Sequence, residues 1–207
     1  ANPPPMLLAR TTRALAGLGS RTVRPLSTGT LSFPGIARRL EDIVKLELLK
    51  DEEPARVSAI WDSYHDNKPA LAGTRLDPSE YEQLWERACE SPSFVFPIRR
   101  DGGHFMLYCQ FAKAERMFVL TYLEEYRTNP QLAQPWASVH LFDELLDTKA
   151  IALIRAEVSP DRLTETEAEH LLLLIRRYYA TSSYDRVWTF NHAERHFDIG
   201  AYLASCP

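Results

Sequence analysis

The 207-residue chain is 45% hydrophobic and 25% charged with a net charge of −4, the balance of one globular domain with a core of ordinary size. Its longest aliphatic run, LLLLI at 171–175, is far short of the roughly 20 residues that cross a bilayer, which excludes a membrane-spanning helix. Beyond residue 40 there are 18 basic and 28 acidic side chains, a net of −10, and such a body repels nucleic-acid phosphates.

Residues 1–40 differ from the rest: six arginines, no lysine and no acid. At about 100° per residue, Arg10, Arg13, Arg21 and Arg24 fall within an arc of about 80°, beside Leu7, Leu8, Leu15 and Leu18. This acid-free basic amphipathic pattern reads as a mitochondrial transit peptide over residues 1–33, processed near Pro25–Leu31, ahead of one domain at 34–207. The mature N-terminus is expected between about 25 and 35.

From Gly35 on, Ile36, Leu40, Ile43, Val44 and Leu48 keep helical spacing, which predicts a helix over 36–50. Pro54 opens a second helix to Asp66, with Val57, Ile60, Trp61 and Tyr64 as its stripe. A polar loop with Pro69 and Gly73 follows. Asp77 as N-cap, Pro78 and Glu80 mark a third helix with a capping box, burying Tyr81, Leu84, Trp85 and Ala88.

After Ser93 the period becomes two. FVFPIRR and GHFMLYCQF flank Asp101-Gly102, a hairpin signal. Pairing Arg100 with Gly103 sets Ile98 opposite Phe105, Phe96 opposite Leu107 and Phe94 opposite Cys109, all on one core face. The other face is mixed: Val95, Pro97 and Arg99 opposite Tyr108, Met106 and His104. Pro97 has no N–H to donate, so its strand is an edge. Further strands are expected over 116–123, 137–142 and 149–158, with an irregular connection through EEYRTNPQLAQP and a short helical turn at DELLD. Thr164 and Glu167 form a second capping box for a helix over 165–180 with Ala168, Leu171, Leu172, Ile175 and Tyr179 inward. A last strand, DRVWTF, leads to a helical turn at 199–205. The grouping predicts an α+β fold: a mainly antiparallel sheet of about five or six strands, N-terminal helices, and a long C-terminal helix packed on the sheet.

Catalytic signatures are absent from the sequence. There is no phosphate-binding glycine loop, nucleophile elbow or zinc-helix motif, and the three cysteines have no C-x-x-C spacing and read as reduced thiols. His192 and His196 are four apart but lack an aligned third ligand, so solvated histidines are expected rather than a metal site. Trp136 is the tryptophan expected to be exposed. Two readings of the polar residues stand open: a small-molecule pocket around Arg99, Glu124 and Tyr126, or a protein-binding surface built on the hairpin's mixed face.

Several segments in order resemble one family. LEDIVKLELL and IWDSYH are followed by SPSFVFPIRRDGG and Gln110, then LTYLEEYRTNPQLAQP, FDELLDTKAIALIRAEV, TETEAEHLLLLIRRYY and TFN…FD. Together, over residues 36 to 205, they are similar to the mitochondrial ATP synthase F(1) assembly factor 1 family, departing from it at Ile98 and His192. The resemblance implies a mitochondrial-matrix chaperone without catalysis or cofactor, which binds the free β subunit of the F(1) head and yields it to the α subunit. The expected contact residues are then Val95, Pro97, Arg99, Arg100, Met106, Tyr108, Glu124 and Tyr126, on a chain that is monomeric when free.

Overall fold

The computed structural model describes residues 34–66 and 68–207; the expected targeting segment lies outside the described residues. In chain order, α1 (Leu46–Asp51) and α2 (Pro54–His65) precede β1 (Leu71–Leu76) and α3 (Pro78–Glu90). The hairpin of β2 (Ser93–Arg100) and β3 (Gly103–Ala112) leads to β4 (Met117–Tyr122), α4 (Leu123–Thr128), β5 (Pro135–Phe142), α5 (Leu146–Lys149) and β6 (Ala152–Val158). Then come α6 (Glu165–Ala180), α7 (Tyr184–His192) and α8 (Ile199–Ser205). The strands form one sheet in the order β1-β6-β5-β4-β3-β2, with every neighbouring pair antiparallel. The fold is α+β, as expected.

The hairpin register agrees with the sequence reading: Phe94 faces Cys109, Phe96 faces Leu107 and Ile98 faces Phe105. Gly102 turns the chain at a φ of +90°, a conformation that glycine adopts without strain. Five of these six core-face residues are buried and Phe105 is half-buried. They meet α6, where Tyr178 contacts Phe94 and Phe96 and Tyr179 contacts Phe118. The Thr164 capping box starts this helix: Thr164 Oγ1 accepts from the Glu167 amide, and the Glu167 carboxylate accepts from the Thr164 amide. On the opposite sheet face α2 lays Val57 and Trp61 against Leu153 and Phe142, forming a second core with Leu40 and Leu49.

Six expectations need correction. Residues 36–50 are not one helix. Only a 3-10 turn at Leu40–Asp42 and then α1 form, because the chain straps the sheet instead: the Ile36 carbonyl meets His140 Nε2 at 3.0 Å and the Leu40 amide donates to Glu144 at 3.3 Å. The loop around Gly73 is a strand, β1, completed by six residues of β6. EEYR lies within a helix, α4. Asp77 does stand at the N-cap of α3 without a side-chain cap bond, since it accepts from Arg75 while Glu80 takes Arg176 in a two-point ion pair. DRVWTF is helical, within α7. There Val187 is inward and Trp188 is 43% exposed, so Trp188, not Trp136, is the exposed tryptophan; Trp136 stacks on Tyr122.

Candidate functional site

The mixed face of the hairpin is covered, which corrects the expectation that it presents apolar contact. Val95 and Tyr108 are 5% and 7% exposed, and Pro97 is buried. The Tyr108 ring lies 4.3 Å from that of Tyr126 on α4, and its hydroxyl donates to Ser93 Oγ at 3.1 Å. Burial pushes this phenol up to about 12. Met106 remains half-buried, at a position that flanks the base of α4.

The two arginines hold the hairpin tip to the helices. Arg99 donates to the carbonyls of Leu203 (2.6 Å) and Cys206 (3.2 Å) at the end of α8. Arg100 makes a two-point ion pair with Glu167 (2.7 and 2.9 Å) and also donates to the Arg162 carbonyl. Charge-assisted bonds of this geometry are the strong kind. The outer edge of β2 is closed as well. Asn191 of α7 accepts from the Ser93 amide and donates to its carbonyl, imitating a paired strand, while the Tyr202 hydroxyl donates to the Val95 carbonyl at 2.7 Å. Pro97 adds a position with no donor.

Arg99, Glu124 and Tyr126 do not converge on a pocket. Arg99 serves α8, Glu124 pairs with Arg127 at 3.2 Å on its own helix, and Tyr126 packs at a tilt against Tyr108. Instead, α4 and the loop after it enclose an open groove of about 380 Å³, lined by Tyr122, Glu124, Glu125, Asn129 and Leu132. Leu132 is 71% exposed, the most exposed large hydrophobic among the described residues. The structure therefore brings Tyr126, Glu124, Tyr108 and Met106 to one region of the sheet and sends Arg99 and Arg100 to other tasks. Leu132 was missed by sequence reading; its one signal is an isolated apolar residue within the polar run TNPQLAQ.

A polar cluster also lies buried beneath the strap of residues 34–40. Ser138 and His140 of β5 adjoin Arg155 and Glu157 of β6. Arg155 Nη2 is 2.8 Å from Glu157 Oε1, and Arg38 Nε is 3.7 Å from Oε2, yet neither carboxylate oxygen makes an aligned hydrogen bond. Its sequence signal is two charges spaced two apart in the otherwise apolar strand IALIRAEV. Nearby, His65 lies over Gly73 so closely that a Cβ there would stand 2.6 Å from Nδ1. Burial lowers this imidazole from 6.5 to about 4, against the hydrogen bond to the Trp61 carbonyl. Between those pH values the unfolded chain binds a proton that the folded chain does not. This part of the stability is complete above 6.5 and is lost as the pH falls toward 4. The full loss is about 3 kcal/mol. Urea titrations at pH 7 and pH 4.5 should record most of it, and His65→Gln should flatten the profile apart from the same-sign contribution of His140, which burial also lowers.

His192 Nε2 is within 3.0 Å of Ser91 Oγ, its ring against Trp188. Among the described residues, no group of three His, Cys, Asp or Glu is arranged to hold a metal ion, and no helix is long and apolar enough to cross a membrane. The three cysteines are free thiols.

Comparison with known proteins adds a family assignment. The family described as ATP11 protein matches residues 29–200. The chain is 25% identical over 170 residues to the ATP synthase mitochondrial F1 complex assembly factor 1 of Mus musculus, covering 81% of this chain and 52% of that protein. The Homo sapiens protein of the same name is also 25% identical over 170 residues, with 51% of its length covered. Protein atp11, mitochondrial, of Schizosaccharomyces pombe is 27% identical over 147 residues, covering 69% of this chain and 51% of that protein. The chain spans about half the length of these curated relatives.

Proposed function

This chain belongs to the ATP11 protein family, and we propose on that premise that it acts in the mitochondrial matrix as a non-catalytic chaperone of F1 ATP synthase assembly. Its client in this reading is the free β subunit, which it shields from aggregation and yields to the α subunit. The family match over nearly the whole described domain carries the reading, and the names of the relatives, F1 complex assembly factors, support it.

The proposed contact centres on the α4 groove, with Leu132 as its apolar anchor and Tyr122, Glu124 and Glu125 lining it, and in this reading it extends to Tyr126 and Met106. Val95, Pro97 and Tyr108 support this surface from beneath, and Arg99 and Arg100 keep the hairpin tip in place. An exposed aliphatic residue rimmed by polar groups is the usual composition of a transient contact. Hand-over to the α subunit requires limited affinity, and a dissociation constant near micromolar, about 8 kcal/mol, meets that requirement. The free chain is a monomer in this reading, and binding does not depend on ATP.

The test is capture of isolated β subunit by the full chain, with Leu132→Asp as the comparison. An exposed leucine can be replaced without unfolding the domain, which circular dichroism would check. Binding by the parent chain and a loss of about tenfold in the variant are the expected results. Equal binding by both moves the contact away from α4. A parent chain that leaves the β subunit uncaptured and free to aggregate overturns the reading.

A further inference from the structure

The two edges of the sheet are treated differently. β2 is closed by Asn191, Tyr202 and Pro97, whereas β1 at the far edge has no such cover among the described residues. The Val158 amide donates to the Ala70 carbonyl at 2.9 Å. Antiparallel pairs alternate between bonded and non-bonded, so Ala72, Thr74 and Leu76 bond to β6 while the backbone groups of Gly73 and Arg75 turn outward. Among the described residues these outward N–H and C=O groups have no hydrogen-bond partner, although the Leu71 amide is already taken by the Lys68 carbonyl.

This edge runs along a groove of about 300 Å³ between β1, the end of α2 and the outer side of α6, lined among others by His65, Gly73, Thr74, Glu165, Glu169 and Leu173. Leu173 is 60% exposed. His65 is 97% buried, its Nδ1 bonded to the Trp61 carbonyl and its Nε2 without a partner. The groove's arginine, Arg176, is neutralised by Glu80 at 2.6 Å, and Arg75 is paired with Asp77. Glu165 and Glu169 enter no ion pair among the described residues. The groove therefore offers a backbone ladder, an exposed leucine and uncompensated negative charge together.

We propose that the free edge of β1 is a strand-addition site for an extended partner segment whose every second residue, on the face turned toward α6, is by turns basic and apolar. The segment would bond to the outward groups of Gly73 and Arg75. An apolar side chain would lie on Leu173, and a lysine or arginine would meet Glu165 or Glu169. Main-chain bonds supply affinity in such additions, and the side chains on one face supply selectivity. The proposal is independent of the β-subunit reading, because the site is at the other edge of the sheet from β2.

The test uses a capped synthetic peptide repeating Arg-Ser-Val-Ser, which brings arginine and valine to the same face, with the full chain, read by hydrogen exchange at individual amides. Saturating peptide should slow exchange at Gly73 and Arg75 by about tenfold or more. Arg75→Pro removes an outward donor at an edge position where proline is tolerated, and should weaken binding about tenfold. Glu165→Gln with Glu169→Gln should weaken it similarly and reduce its salt dependence. The same peptide with glutamate in place of arginine should leave both amides unprotected. Unchanged exchange at Gly73 and Arg75, or full binding by both variants, overturns the proposal. So does protection in the free chain that disappears on deleting residues 1–33, or that grows with protein concentration alone; those results assign the edge to the chain itself or to a second copy. Capture of β subunit by Arg75→Pro would leave the chaperone reading intact whichever way the peptide result falls.

Discussion

Phe94→Ala is expected to remove about 3–5 kcal/mol of folding stability. Phe94 is fully buried on the core face of β2, and five aromatic rings surround it: Phe96, Tyr178, Phe190, Phe197 and Tyr202, with centroids 5.2 to 6.0 Å away. Those rings come from the same strand, from α6, from α7, from the turn after it and from α8. The phenyl group thus joins the hairpin to three helices. Its removal forfeits the transfer free energy of the ring and leaves a void. Rigid aromatic walls collapse poorly, which puts the cost toward the upper part of the range. Urea unfolding should show a lower midpoint with an unchanged slope. The half-buried Phe105, changed in the same way, should lose less. A loss below about 2 kcal/mol at Phe94 would mean that the C-terminal helices close over the gap.

Glu157→Gln is expected to cost about 3–5 kcal/mol, although it preserves the side chain's shape. Glu157 is fully buried in β6, and its charge faces Arg155, which is 5% exposed, and Arg38 of the strap. Taking away the negative charge leaves a buried guanidinium without compensation, and burial already lowers the Arg155 pKa. Replacing both partners, as in Arg155→Met with Glu157→Leu, should cost much less than the single change and can even stabilise, because the desolvation penalty of both ions disappears together. Urea titrations of the two single variants and the double variant at pH 7 decide the matter. If Glu157→Gln costs less than about 1 kcal/mol, Arg155 is being solvated and the pair is not a dry one.

Both expectations bear on the proposed function through the same architecture. The Phe94 cluster seats α7 and α8 where Asn191 and Tyr202 close the β2 edge. The charged cluster lies beneath the strap on the other sheet face. A destabilised hairpin would expose that edge, and an unpaired strand edge is a template for unwanted pairing. Loss of client capture in a Phe94 variant would therefore report a damaged scaffold, whereas Leu132→Asp tests the surface alone.

Much of the fold follows from the order of residues alone. Alternation in FVFPIRR and GHFMLYCQF, closed by Asp101-Gly102, determined a hairpin, its register and its core face. Thr164 and Glu167, three apart before an apolar stripe, determined where α6 begins. These are properties of neighbours a few positions apart, and any chain with that spacing presents them. The tertiary structure alone decided which surfaces remain open. Val95, Pro97 and Tyr108 read as a mixed, accessible face, yet they are buried, with Tyr126 of α4 against Tyr108. The β2 edge is occupied by Asn191 and Tyr202, 98 and 107 residues from their partners. LAGTRL became a strand because β6 pairs with it and His65 needs a glycine beneath its ring, while DRVWTF became a helix because Val187 packs inward and Trp188 outward. Periodicity reports which face of an element is apolar. Whether that face, its reverse or its edge meets solvent depends on which distant segment packs against it, and short-range spacing carries no record of that partner.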